Sequence, residues 1–190
     1  MQIVLLSGSP RKNGNTMAAL EKCAAALQKE GVETEIISLH DKNIQGCKAC
    51  GACAKLGKCA INDGLNEILE KIKAADGYVV GAPVYFGTAR GDIMNAIQRC
   101  GMVAGNNGRW LEGKVGGPIV VARRGGLTAT LQEMLMHFFI CGVTVPGSTY
   151  WNILFGGAPG QALEDSEGVA TIENFGRNMA QLLKKLHKTD

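Results

Sequence analysis

Apolar positions along the chain fall into two alternating kinds of segment. Gln2–Leu6 is a short apolar run, and after the glycine-containing stretch Ser7–Thr16 helical spacing runs through Leu20, Cys23, Ala24 and Leu27. Gly31 is the natural stop for that helix. Val32–Leu39 alternates apolar and polar residues as a strand does. Gly64–Ala75 sets Leu65, Ile68, Leu69 and Ile72 on one helical face, with Asp63 placed as its N-cap. Gly77–Ala82 and Val115–Ala122 are continuously apolar strands, followed by helical patterns over Asp92–Met102 and Leu127–Cys141. Val143–Val145 predicts the start of a fifth strand, and Ala162–His187 a last helix interrupted near Asp165–Gly168. Strands apolar on both faces, alternating with helices, predict a parallel sheet covered on each side. The expectation is α/β: a doubly wound five-stranded parallel sheet in the order 2-1-3-4-5. In that order ligands belong at the carboxyl ends of strands 1 and 3.

Composition narrows the reading. A chain of 190 residues and 20.1 kDa fits a single domain, 1–190, with a cysteine-rich insertion at about 40–63. Hydrophobic residues make up 46% and charged residues 19%, with mean hydropathy +0.04, which excludes a disordered chain. The net charge of +3 is too small a surplus for a nucleic-acid footprint. No apolar run reaches the roughly 18 residues of a membrane span. MQIVLLSGSPRKNG lacks a basic leader and a cleavage signal, so it reads as a first strand and not an export signal. The expected location is cytoplasmic, where the seven cysteines stay reduced.

Three loops carry candidate chemistry. Ser7–Thr16 lacks the G-x-G-x-x-G of a dinucleotide site, and its glycines are one residue too far apart for a Walker A loop. What remains is rich in hydroxyls, amides and backbone N–H groups at a helix N-terminus: Ser9, Asn13, Asn15 and Thr16, with Arg11 and Lys12 adding charge. That set suits a phosphate dianion; an ordinary capped turn is the plainer alternative. In Pro83-Val84-Tyr85-Phe86-Gly87, Pro83 fixes the chain leaving the strand and Gly87 lets backbone approach a ligand. Tyr85 and Phe86 offer flat surface for a tricyclic ring, or else belong to the core. The strand-4 exit carries Arg123, Arg124, Gly125 and Gly126, a pair of cations that either meets an anionic ligand or caps an exposed end.

Four of the seven cysteines, Cys47, Cys50, Cys53 and Cys59, form Cys-x2-Cys-x2-Cys-x5-Cys, with Gly51 and Gly57 allowing the chain to curl. Three thiolates at this spacing wrap one metal face and a fourth closes the set. A ferredoxin run shares the first three ligands but continues with x3 and a proline. Tetrahedral zinc and a metal-free thiol loop are the alternatives. Cys23, Cys100 and Cys141 fall in helical patterns and are expected to be buried. His40, His137 and His187 lie in separate segments with no Ser–His–Asp or two-His metal arrangement, so hydrolytic chemistry has no basis.

GSPRKNGNT after strand 1 and GAPVYFG after strand 3 resemble the NAD(P)H-dependent FMN reductase branch of the flavodoxin-like flavoproteins. With the cysteine spacing between strand 2 and its helix, the chain resembles the iron–sulfur flavoproteins of that branch, over residues 2 to about 180. The resemblance implies that Ser9, Arg11, Asn15 and Thr16 hold the FMN phosphate and that Pro83–Gly87 contacts the isoalloxazine ring. Arg123–Gly126 resembles a third flavin loop, and the four clustered cysteines would hold a [4Fe–4S] cluster. Asp63-Gly64-Leu65 departs from the family's usual two acidic residues and Met. The implied function is an FMN-dependent oxidoreductase passing electrons from NAD(P)H or a ferredoxin-like donor to a small acceptor: a quinone, an oxygen species or free flavin. Any nicotinamide would stack directly on the flavin, and no side-chain catalyst is needed. The rival readings are an electron carrier between protein partners and a zinc-stabilised binding protein. Apolar content in Met102–Trp110 and Thr149–Phe155 predicts a homodimer or homotetramer, with Trp110 or Trp151 walling a neighbour's flavin site. The cysteine loop and the flavin loops are expected on one side of the molecule, at the carboxyl edge of the sheet.

Overall fold

In a computed structural model, which describes residues 1–188, the chain order is β1 (Gln2–Ser7), α1 (Asn15–Lys29), β2 (Glu33–Ser38), α2 (Cys53–Leu56), α3 (Leu65–Ala74) and β3 (Gly77–Tyr85). It continues with β4 (Thr88–Ala89), α4 (Gly91–Gly105), β5 (Val115–Ala122), α5 (Leu127–Ile140), β6 (Ile153–Phe155), a 3-10 turn (Gln161–Glu164) and α6 (Ser166–Leu186). The main sheet is parallel in the order β2-β1-β3-β5-β6, as predicted, and the two-residue β4 folds back antiparallel on β3. Alternate residues of each strand face opposite layers. Ile3, Leu5, Val79, Ile119 and Val121 pack under α1 and α6. Val4, Leu6, Tyr78, Val80 and Val120 pack under α3, α4 and α5.

Two boundaries differ from the pattern. Val143–Val145 is not the fifth strand: only Thr144 forms an isolated parallel bridge, to Val115. Pro146 cannot donate to a ladder. The chain therefore leaves the sheet, ties Ser148 Oγ to the Thr171 carbonyl (2.6 Å), and returns as Ile153–Phe155 beside Val120–Ala122. Conversely, β3 runs three residues past the predicted Ala82. β1 stops opposite Gly81, so Pro83 extends the strand where no β1 residue needs its missing donor.

Cys23 and Cys100 are buried as expected, and burial pushes the Cys100 thiol well up. Cys141 is not: it caps α5 and is half-buried. Its neighbour His137 is held beneath the α4–α5 face with Nε2 at 2.8 Å from the Tyr78 hydroxyl. Phe138 is fully buried while Phe139 stands 81% exposed, so this helix face is only partly packed within the chain.

Burial lowers the His137 pKa from 6.5 to about 4. The folded state thus keeps the ring neutral while the unfolded state takes up a proton, and stability falls as pH drops from 6.5 towards 4. The contribution is on the order of 2–3 kcal/mol across that window. Urea titrations at pH 7 and pH 4.5 should show His137→Gln losing less stability than the unsubstituted protein; equal losses would show that this ring is not responsible.

Candidate functional site

Parallel pairing brings the exits of β1, β3, β5 and β6 to one edge. The first loop leaves Ser7, whose carbonyl accepts from Leu39 N (2.9 Å), and Gly8 N donates to the Gly81 carbonyl (2.8 Å). A side chain at Gly8 would run into Ile93 of α4, so this exit lies flat on that helix. Arg11 N donates to Ser9 Oγ (3.1 Å), curling the loop, and Gly14 lies close against Ser9 and Arg11. Ser9 and Thr16 are buried, whereas Arg11, Lys12 and Asn13 are exposed. No side chain caps the N-terminus of α1, which leaves its first N–H groups open to a ligand. Ser7 Oγ, at the root of the loop, is buried without a hydrogen-bond partner among the described residues. These donors fit a phosphate.

Asn15 has a different task from its neighbours. Its Nδ2 donates to the Ala158 carbonyl (2.8 Å) and its Oδ1 accepts from Ala162 N (3.3 Å), so the side chain ties α1 to the segment after β6. That segment is a fourth loop at the same edge, which sequence reasoning missed. Gly156 N donates to the Ala122 carbonyl (2.9 Å), and Gly157 and Ala158 donate to Gln161 Oε1. The cluster Gly156-Gly157-Ala158-Pro159-Gly160 was its available signal.

At the second loop, Phe86 and Gly87 both adopt positive φ (51° and 87°) between Tyr85 and Thr88, a tight primed hairpin turn. Tyr85 is 44% exposed and Phe86 wholly so, which excludes the core alternative for both rings. Thr130 Oγ1 donates to the Gly87 carbonyl (3.3 Å), and the Glu133 carboxylate accepts from the Thr88 hydroxyl and from Ala89 N. These bonds fasten the hairpin to α5. In the third loop Arg123, Arg124 and Gly125 are exposed. Gly126 has φ +85°, and a Cβ there would lie 2.9 Å from Gly87 Cα and from Val84. The second and third loops therefore touch through glycine.

The cysteine loop lies elsewhere. It leaves β2 at the same edge but runs down the flank of α4. Asn95 Nδ2 donates to the Ile44 carbonyl (2.8 Å), and Asn107 Nδ2 to the Cys53 carbonyl (3.1 Å). Ala49, Gly51 and Gly57 take left-handed conformations that curl the loop. Cys47, Cys50, Cys53 and Cys59 line one small cavity with Arg99, Met102 and Val103. Among the described residues no three thiol, imidazole or carboxylate groups converge as a ready-made metal site. The donor set around the cavity is nonetheless all thiol, with a buried cation beside it, and so fits a thiolate-held iron–sulfur group. At about 1.5 Å rise per helical residue, Met102 lies roughly 14 Å along α4 from Ile93. The loop leaves at the sheet edge, as expected, and then descends along the helix: Gly46 lies against Asn95 near the start of α4, whereas Cys53 Sγ lies 3.9 Å from the Met102 carbonyl. The cause is the grip of α4 on the loop.

Asp63 does not cap α3, whose N-cap is Gly64 with φ +81°. Its carboxylate instead pairs with Arg99 inside the loop (2.5 Å). Burial works against this carboxylate, but the hydrogen bonds and charge of Arg99, with the Gln45 and Leu65 amides, outweigh it and hold its pKa below the ordinary range.

A parallel sheet in this order, with a donor-rich loop and an exposed aromatic hairpin at its switch point, defines a flavodoxin-like fold. A flavodoxin structure from the domain Archaea superposes with TM-score 0.63 over 97% of this chain and 99% of that one, at 15% identity. Residues 1–157 match the NADPH-dependent FMN reductase family, and the chain belongs to it. It is 37% identical over 195 residues to an iron-sulfur flavoprotein of Methanocaldococcus jannaschii, covering 99% of this chain and 100% of the relative. Against an iron-sulfur flavoprotein of Methanosarcina thermophila it is 33% identical over 191 residues, covering 99% and 98%. The protein is an FMN-dependent oxidoreductase. Among the described residues no helix is long and apolar enough to cross a membrane.

Two substitutions test the flavin rim. Replacing Arg11 and Thr16 together with Ala should raise the FMN dissociation constant about tenfold or more, since charge-assisted hydrogen bonds are each worth about 1.5–3 kcal/mol. Unchanged affinity by fluorescence titration would remove the phosphate from this loop. Gly126→Ala strains a left-handed residue and crowds Gly87, and should cost about 1–3 kcal/mol while weakening FMN binding. Thermal melts with and without FMN separate the two effects.

Proposed function

We propose that the chain takes electrons either as hydride from NADPH or NADH, or singly from a ferredoxin-like protein, and delivers pairs to a small acceptor. Quinones, oxygen species and free flavin all suit the open rim around the Tyr85–Gly87 hairpin. Ser9, Arg11, Asn13 and Thr16 would bind the FMN phosphate, with Asn15 bracing the loop from behind. Pro83, Val84, Tyr85, Phe86 and Gly87 would flank the ring on one side, and Arg124, Gly125 and Gly126 on the other. Bound FMN supplies the interchange between one-electron and two-electron chemistry. Exposed Arg123 and Arg124 offer positive charge where a reduced flavin carries negative charge. A nicotinamide would reach the ring directly, because the hairpin projects into solvent with Phe86 fully exposed.

The observation that carries the one-electron route is the all-thiol cavity formed by Cys47, Cys50, Cys53 and Cys59. We read it as the site of a [4Fe–4S] cluster in a reducing cytoplasm. Four cysteine ligands are the ordinary set for such a cluster. Its position on the α4 flank gives a protein donor access away from the flavin rim.

The neighbouring face, between α4 and α5, supports self-association. An apolar groove of about 720 Å³ runs between α4 and α5, with Met94, Ile97, Met102, Met136 and Ile140 in its walls and Cys47 at its border. Met136 and Ile140 of its wall stand exposed and, with the exposed Phe139, raise an apolar rim on its α5 side. A ridge next to a groove is complementary to its own copy about a two-fold axis, which supports a homodimer or a homotetramer built from dimers. Tyr150 and Trp151, in tilted ring contact (centroids 4.9 Å apart) and both exposed, form a second apolar patch. Trp110 is packed against the core and is the weaker candidate wall.

The visible spectrum of protein purified without air reports flavin and cluster together, and a zinc or metal-free loop would show flavin alone. Replacing Cys50 and Cys53 with Ser should abolish iron binding and ferredoxin-driven flavin bleaching, with FMN still bound and hydride-driven bleaching intact. Full ferredoxin-driven reduction in that variant would eliminate the thiols as the entry point. Phe139→Glu with Ile140→Glu should shift sedimentation towards a 20.1 kDa monomer.

A further inference from the structure

Arg99 projects from α4 into the base of the cysteine loop and is 1% exposed. All five of its N–H groups have partners. Nη1 donates to the Gln45 carbonyl (3.1 Å) and Asp63 Oδ2 (2.5 Å), and Nη2 to the Ile61 carbonyl (3.2 Å) and Asp63 Oδ1 (3.1 Å). Nε donates to Cys59 Sγ at 3.2 Å. Gln45 lies two residues before the first cysteine of the set and Ile61 two residues after the last. The guanidinium therefore closes the loop at its base, with both arms of the chain on one planar fork.

The bond to sulfur is what a plain structural clasp would not need. Cys59 is already fixed by its backbone: its N–H donates to Asn66 Oδ1 and its carbonyl accepts from Asn66 Nδ2, both at 2.9 Å. Its sulfur is left facing a buried cation. A hydrogen bond to a ligand sulfur, backed by positive charge in a low-dielectric site, favours the more negatively charged state of the group that sulfur holds.

We propose that Arg99 is a positioning residue of the cysteine site, setting the spacing of the thiols and, through Nε–H on Cys59 Sγ, raising the reduction potential of the iron–sulfur group. The proposal rests on the [4Fe–4S] reading above. Asp63 moderates the effect, since its carboxylate neutralises part of the guanidinium charge. The two residues should therefore act on the potential in opposite directions.

The test is a potentiometric titration of the anaerobically purified holoprotein, followed by electron paramagnetic resonance of the reduced cluster. Asp63→Asn keeps the Arg99–Cys59 hydrogen bond and removes the counter-charge, so the midpoint should move to more positive potential. Arg99→Met combined with Asp63→Asn removes donor and charge together without leaving a buried carboxylate unpaired, so the midpoint should move to more negative potential. Shifts of opposite sign support the proposal. Midpoints unmoved in both variants, or moved in the same direction, overturn it while leaving the cluster reading intact. If the double variant fails to hold iron, Asp63→Asn alone decides: a positive shift supports the proposal and no shift overturns it. Unsubstituted protein that contains no iron and takes up none on reconstitution overturns the cluster reading, and this inference with it.

Discussion

Parallel pairing of buried strands is the constraint from which the flavin rim follows. Because β1, β3, β5 and β6 all run the same way, their exits meet at one edge, and each helix must return along a face. The packing tolerates little at the central strands. A Cβ at Gly77 would strike the Val115 carbonyl, one at Gly116 the Tyr78 carbonyl, and one at Gly81 the side chain of Leu20 in α1. Glycine lets β3 and β5 pair closely at Gly77 and Gly116, and lets α1 settle on β3 at Gly81. The open N-terminus of α1 at this edge is thus a consequence of sheet packing and of a helix start with no side-chain cap.

The Arg99–Asp63 pair obeys different physics. Removing both charges from water costs several kcal/mol per ion, and their attraction in the interior repays that only when every donor and lone pair is engaged. Here the guanidinium is fully satisfied, and burial, which opposes the Arg99 charge, is outweighed by Asp63 and Cys59 so that its pKa is raised. Such a pair contributes little net stability. Its value is geometric, since a planar fork admits one arrangement of the chain around it. A loop with no regular structure beyond the short helix α2 acquires a defined shape in this way.

Much of the fold was legible because buried parallel strands read as continuous apolar runs, and because Gly31 and the Ser7–Thr16 turn residues act locally. What was not legible depends on residues distant in the chain. Val143–Val145 has strand composition, but Pro146 prevents its continuation and the sheet takes Ile153–Phe155 instead. Asp63 before an apolar helical face looks like a cap, yet it meets a guanidinium 36 residues later. Asn15 looks like a phosphate ligand from its place in the loop, but its amide is engaged with a segment 143 residues away. One signal for Arg99 did exist. Ala96, Arg99, Cys100 and Val103 follow i, i+3, i+4, i+7 spacing, which puts a charged residue on an otherwise apolar stripe. A cation there must find partners inside the molecule, and the cysteine loop supplies them.

Helix α4 consequently links the first loop to the cysteine loop. Its first turn carries Ile93 against Gly8 at the root of the Ser7–Thr16 loop. Asn95 grips the Ile44 carbonyl one half-turn on, Arg99 closes the cysteine loop a turn later, and Asn107, just beyond the helix, holds the Cys53 carbonyl. Cys53 Sγ itself lies 3.9 Å from the Met102 carbonyl. A rigid helix rises about 1.5 Å per residue whatever its sequence, so these attachments set a fixed interval between the flavin edge and the thiols. That interval is determined by the register of side chains on one helix and not by the length of the loop. Residues in the loop can therefore vary without moving the site, provided the carbonyls of Ile44, Gln45, Cys53 and Ile61 still meet their donors.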